Sequence, residues 1–207
     1  MKIALLGSGA LSRALATRLS GSQHQLRIAS REPSGRELPD GLSAVPLVGY
    51  PEAATWADVV VLALPLTALD EALPPLREAL TGKIVVDPIN GIAPDWSPAD
   101  LGADATVAAR VARLLPESRV VKAFNMIFAD ALGRVEAADA QLTVFAAGDD
   151  PAAVAAAADL IRDCGLDPVA VAGLAHAAYL EAMAHLNIAV ALAGGGTAAG
   201  FAYRRLG

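Results

Sequence analysis

Short apolar runs alternate along the chain with longer stretches whose apolar positions recur every three or four residues. Lys2–Leu6, Leu26–Ala29, Val45–Val48, Val59–Leu64, Lys83–Asp87, Arg119–Phe124, Leu142–Ala147 and Pro168–Ala172 read as strands. The run Val59–Leu64 (VVVLAL) has no polar position, the mark of a strand covered on both faces. Between these runs, Ala10–Leu19, Pro51–Ala57, Leu66–Leu80 and Ala105–Leu115 read as helices, and Pro116 closes the last of them. A further helix starts at Pro151, behind two aspartates that favour its positive end, and runs to Cys164 with Gly165 as its cap. A long helix begins near Ala175. Ser30–Gly41 and Asn90–Asp100, rich in Gly and Pro, are loops. Strand–helix alternation through residue 172 predicts an α/β fold, a Rossmann-type doubly wound and mostly parallel sheet.

Composition narrows the function classes. The 207 residues are 55% hydrophobic, 18% charged and 4% aromatic, with a net charge of −6. A disordered chain would be richer in charge and poorer in apolar residues. The acidic balance offers no basic stripe for phosphates, and few aromatics are present for base stacking, so nucleic acid is not an expected partner. The lone Cys164 excludes an internal disulfide and a cysteine-based metal site, and no Asn-x-Ser/Thr sequon is present. Both facts suit a reducing cytoplasm. Ala182–Tyr203 carries no formal charge, but alanine is barely lipophilic and Gly194–Gly196 weaken a helix. The expectation is a segment buried in a C-terminal lobe or in a subunit interface, not a membrane span. That apolar excess on a small chain also predicts a homo-oligomer, a dimer in the simplest case.

The sharpest motif is Gly7-Ser8-Gly9-Ala10-Leu11-Ser12, between the first strand and the first helix. Gly7 permits the tight turn, Gly9 lets a pyrophosphate approach the backbone, and the helix N-terminus supplies amides and partial positive charge. Gly7, Ser8, Gly9, Ala10 and Leu11 are therefore candidate dinucleotide contacts. Ser12 stands in the third position, where Gly or Ala is usual and a small residue is required. The second strand ends in Ala29-Ser30-Arg31-Glu32. An NAD site would place an Asp or Glu at this strand end to hold the ribose hydroxyls. A hydroxyl and a guanidinium instead suit a 2′-phosphate, so Ser30 and Arg31, with Arg36 from the loop, argue for NADP(H). Glu32 would weaken that preference if it turned inward. Residues 1–148 are expected to form the NADP-binding domain, and 149–207 a small helical lobe for an acceptor site, oligomerisation or both.

Ligands of such sheets lie beyond the carboxyl ends of the strands. Leu64 and Pro65 there would make a rigid wall beside the nicotinamide. Asn90 could bond a carboxamide or stabilise its own turn, and Asn125 is the best polar candidate near the nicotinamide or else a helix cap. No histidine or lysine forms an obvious acid–base pair. His24 sits in a turn, His176 and His185 point in different directions along one helix, and Glu181 reads as a lone structural carboxylate. No residue is assigned a catalytic proton transfer. Hydride passed directly between two cofactors needs none, since positioning and dehydration suffice.

The chain resembles the NADP oxidoreductases dependent on the deazaflavin coenzyme F-420. The resemblance rests on KIALLGSGALSRALATRL, IASRE, VVVLALP and VARLLPESRVVKAFN, and on FAAGDDPAAVAAAADLIRDCGLDPVAVAGLAHAAYLEAMAHL near the end. It implies a Rossmann domain with a small C-terminal lobe, and direct hydride transfer between C4 of nicotinamide and C5 of the deazaflavin. It also implies that Gly7–Leu11 cradle the pyrophosphate, that Ser30 and Arg31 hold the 2′-phosphate, and that Leu64 and Pro65 line the nicotinamide. This chain departs from the pattern at Ser12, at Glu32 where a second basic residue is common, and at the bulky Met126-Ile127-Phe128. Arg162 is also the only Lys or Arg between Arg134 and Arg204. Two other readings follow from those departures: an NADPH-dependent reductase of a flavin, ferric chelate or small carbonyl, and a non-catalytic NADP-binding module.

Overall fold

The computed structural model describes residues 1–134, 142–204 and 206. Its frame is one eight-stranded sheet of β1 (Lys2–Leu6), β2 (Gln25–Ser30), β3 (Leu47–Gly49), β4 (Val59–Leu62), β5 (Ile84–Asp87), β6 (Arg119–Lys122), β7 (Thr143–Gly148) and β8 (Asp167–Ala172). The order across the sheet is β3-β2-β1-β4-β5-β6-β7-β8. Every neighbouring pair is parallel except β6 and β7. Parallel neighbours need crossovers, and these come from α1 (Ala10–Leu19), α2 (Tyr50–Trp56), α3 (Leu69–Ala72), α4 (Arg77–Leu80), α5 (Val107–Leu114) and α7 (Pro151–Asp163). The short α6 (Ala129–Arg134) follows β6, and α8 (Ala177–Val190) ends the regular structure.

Side chains alternate along a strand, so β1 serves two cores. Ile3 and Leu5 join Leu15 and Leu19 of α1 and Leu160 and Ile161 of α7. Ala4 and Leu6 join Ala53 and Ala54 of α2, Leu69 of α3 and Val107 and Val111 of α5. The sheet is thus covered on both faces, as the apolar run at β4 requires. It also continues past residue 148, because β8 pairs with β7 from Thr143↔Asp167 to Gly148↔Ala172. Outside the sheet stand α8 and the tail, whose Phe201 carbonyl accepts from the Thr143 N–H at 2.8 Å.

Local chemistry displaces some expected elements. The single helix expected over Leu66–Leu80 is instead a 3₁₀ turn (Leu66–Ala68), α3, a second 3₁₀ turn (Pro74–Leu76) and α4. Pro74 and Pro75 have no N–H groups, and their rings clash with a continuing helix. The third strand starts at Leu47, not Val45, because Pro46 has no N–H to donate, although its carbonyl still accepts from Ile28 at 3.0 Å. Helix α6 was not foreseen; one turn and a half shows no readable apolar stripe.

A buried charge cluster closes the carboxyl ends of β5 and β6. Their register sets Asp87 opposite Lys122. Both side chains are fully buried, and Lys122 Nζ lies 3.0 Å from Asp87 Oδ2 and 2.8 Å from Glu181 Oε1 on α8. The ammonium also donates to the Ile89 carbonyl. Glu181 in turn accepts from the N–H groups of Val107 (3.0 Å) and Ala108 (3.2 Å), at the positive end of α5. Burial pushes the Asp87 carboxyl up, and the Lys122 charge works against it.

The inner face of α8 is therefore anchored to the sheet, and Asn187 adds a bond from Nδ2 to the Met126 carbonyl at 2.9 Å. The helical run Leu174–Gly195, of 22 residues, is long and apolar enough by length and composition alone to cross a membrane. Its docked side, however, carries Glu181, spent on Lys122 and α5, and Asn187, bonded to the loop after β6. Burial of Ala182–Tyr203 within the chain holds for the inner face only. Only Ala184, Asn187 and Ile188 of this stretch are buried, whereas Leu186 and Val190 on α8 and Leu192 and Tyr203 beyond it are 56%, 51%, 66% and 54% exposed. Removing one partner of a buried ion cluster leaves the others uncompensated, so Lys122→Met should cost about 3–5 kcal/mol of stability in urea denaturation.

Candidate dinucleotide site

The turn after β1 has a conformation only glycine tolerates. Gly7 has φ +117°, and its N–H donates to the Ala29 carbonyl at 2.9 Å. A Cβ there would lie 2.0 Å from the Ala63 carbonyl oxygen. Gly9 is different: a Cβ on it would meet nothing within 4 Å. It faces open space, as a backbone approached by a ligand must. Gly9 is also the N-cap of α1 and makes no side-chain cap bond, so the amides of the first turn remain free of one. Ser12 is fully buried and its Oγ donates to the Gly7 carbonyl at 2.6 Å. The serine packs as a small residue and satisfies the turn it follows.

A cleft of about 910 Å³ opens beyond these strand ends. Gly7, Ser8, Gly9, Ala10, Leu11, Ser30, Arg31, Arg36, Leu64, Pro65 and Asn90 all line it. Its apolar lining is Leu62, Ala63, Leu64, Pro65, Pro88, Ile89 and Ile92, and its polar lining includes Ser30, Arg31, Glu32, Arg36, Tyr50 and Glu71. Ser30 Oγ accepts from the Glu32 N–H at 3.3 Å and donates to the Glu32 carbonyl at 3.2 Å. Arg36 Nη1 donates to Ser8 Oγ at 3.3 Å, across the glycine turn. Burial pushes the Tyr50 hydroxyl up, and the charges of Arg31 and Arg36 pull it back. Tyr50 and Glu71 were not foreseen. Tyr50 opens the helix after β3 and carries no motif, while Glu71 arrives from α3.

Asn125 lies elsewhere. It lines an adjoining pocket of about 210 Å³, which shares Leu11, Pro88, Asn90 and Ile92 with the cleft. Its Nδ2 donates to Asn90 Oδ1 at 3.0 Å and to the Leu180 carbonyl at 2.8 Å. Asn90 Nδ2 donates to the Asn125 carbonyl at 2.7 Å. The two asparagines thus lock the loops after β5 and β6 to each other and to α8, with both amide hydrogens of Asn125 and one of Asn90 engaged. Trp96, Met126, Ile127, Phe128, Ala184 and Ile188 supply apolar walls, and Asn187 is the third polar side chain. Among the described residues lining this pocket, none is titratable. The buried thiol of Cys164 is pushed up to about 12 by burial, so it is not a thiolate at neutral pH.

The family model for NADP oxidoreductases, coenzyme F420-dependent, matches residues 2–91, the stretch holding the glycine turn and the Ser30-Arg31 strand end. The F420-dependent NADP reductase of Methanothermobacter thermautotrophicus is 33% identical over 213 aligned positions, 91% of this chain and 88% of that one. The chain belongs to this NADP oxidoreductase family. A crystal structure from Arthrobacter sp. FB24, provisionally named an F420-dependent NADP-reductase, covers 99% of this chain and 100% of its own, with a TM-score of 0.85 and 29% identity. Metalloreductase STEAP3 of Rattus norvegicus is 31% identical over 182 residues, which is 88% of this chain but 36% of that longer protein.

For a family member built this way, the two glycines should separate fold from binding. Gly9→Ala should unfold with the parent in thermal denaturation yet weaken NADP⁺ at least about tenfold by calorimetry. Gly7→Ala, with a forced contact and a left-handed backbone, should lose on the order of 1–3 kcal/mol of stability.

Proposed function

We propose that this chain binds NADP(H) in the cleft and transfers a hydride directly between the nicotinamide and a deazaflavin of the coenzyme F-420 type. The observation that carries the reading is the chemistry of the second pocket. It adjoins the cleft, and its described lining holds no acid or base. Reduction of a carbonyl needs a proton donor at the reacting oxygen, whereas a deazaflavin that takes a hydride at ring carbon takes its balancing proton at a ring nitrogen, from solvent, so the transfer itself needs only contact and positioning. The nicotinamide supplies the hydride when bound. In this reading Gly7–Leu11 and the amides of α1 hold the pyrophosphate, and Arg31 and Arg36 stand at the 2′-phosphate end. Leu64, Pro65, Pro88 and Ile89 wall the nicotinamide off from water. The Asn90–Asn125 pair fixes the boundary between the two ligands.

A second reading keeps the NADP(H) site and replaces the deazaflavin with a flavin or a ferric chelate. It is favoured by the identity to a metalloreductase and by the lack of any Lys or Arg in the second pocket's described lining. A phosphate and polyglutamate tail, as coenzyme F-420 carries, would be better held by arginine. Anaerobic mixing with NADPH and coenzyme F-420 should bleach the deazaflavin absorbance. Binding of NADPH without that bleaching, together with turnover of FMN or a ferric chelate, would move the assignment to the second reading.

The outer face of α8 supports a further part of this reading, that two copies associate through it. Tyr179, Leu186 and Val190, spaced seven and four residues apart on that face, are each more than half exposed there. Light scattering should give twice the 21.0 kDa chain mass, and Leu186→Asp should return a monomer.

A further inference from the structure

We propose that Glu71 sets how strongly the chain prefers NADP(H) to NAD(H); this rests on the dinucleotide reading above. Each group that the sequence assigns to a 2′-phosphate already has a partner. The Ser30 hydroxyl is turned onto the Glu32 backbone, and Arg36 is bonded to Ser8. Arg31 Nη1 lies 3.6 Å from Glu71 Oε2. Glu71 comes not from the end of β2, where a dinucleotide-selecting carboxylate is usually sought, but from α3 after β4. It lines the same cleft.

Among the cleft's described lining, the charged side chains are Arg31, Arg36, Glu32 and Glu71. Their charges cancel. A 2′-phosphate entering this corner therefore does not fill a cation-rich hole. It takes Arg31 from Glu71 and leaves that carboxylate beside a new anion. A bare ribose 2′-hydroxyl takes nothing from Arg31, and it offers a proton that a carboxylate accepts. Glu71 thus opposes NADP(H) without opposing NAD(H). The ion pair is well exposed, at 66% and 78% for its two side chains, so the effect is modest.

Calorimetric titration of the wild-type chain and of Glu71→Gln with NADP⁺ and with NAD⁺ tests this. The glutamine keeps the shape and removes the charge. NADP⁺ should bind the variant about 2- to 5-fold more tightly, the scale of an exposed ion pair. NAD⁺ should bind equally or more weakly, so the NADP⁺/NAD⁺ affinity ratio rises. A ratio that stays the same or falls overturns the proposal, including the case in which both nucleotides shift together, as a purely structural role for Glu71 would make them. Wild-type chain that binds neither nucleotide overturns the dinucleotide reading beneath it.

Discussion

The arrangement of both pockets depends on one buried ammonium. Lys122 is shared among Asp87 at the end of β5, the Ile89 carbonyl just beyond it, and Glu181 on α8. Burying three ions is costly, and the cluster persists because each has several partners. Glu181 spends its remaining capacity on two amides at the start of α5. One cation thereby fixes the relative positions of two strand ends, a crossover helix and the last helix. The loop that follows Asp87 is the loop that lines the cleft and the second pocket at Pro88 and Asn90. The lining of both pockets is thus set from beneath, by Asp87, Lys122 and Glu181, which line neither.

The glycine turn is organised differently. Gly7 accepts a close approach to Ala63 that no other residue could make, and Ser12 returns a hydrogen bond to the turn's own carbonyl. Gly9 leaves space instead of filling it. Strain is concentrated on one glycine and the other is left open, so the same motif both holds the fold and leaves a stretch of backbone uncovered.

Much of this was legible in the sequence, because the informative signals were local. The apolar runs located all eight strands, and the glycine turn with Ser30 and Arg31 located most of the cleft. What escaped was long-range or interrupted. Pro74 and Pro75 broke a helix whose apolar period continued across them. Glu181 looked solitary because its partners, Lys122 and the amides of Val107 and Ala108, are far away in sequence. Lys122 and Asp87 were each visible at a strand end, but their pairing needs the register between β5 and β6. Glu71 carried no signal, since nothing in its own neighbourhood says that α3 returns it to Arg31. Asn125 was recognised as important, yet its amide serves the Asn90 loop and α8 rather than the larger cleft.

Helix α8 has a mechanical consequence. It walls the second pocket through Ala184, Asn187 and Ile188, and it is pinned to the sheet and α5 by Glu181 and to the loop after β6 by Asn187. Swinging it outward would break an ion cluster and several buried hydrogen bonds at once. Ile92 and Trp96 also line the pocket, in a loop tied across by a bridge between Ile92 and Pro98, with Trp96 55% exposed. The second pocket therefore has a stiff wall at α8, whose Ala184, Asn187 and Ile188 cannot shift without cost to contacts far from the pocket itself.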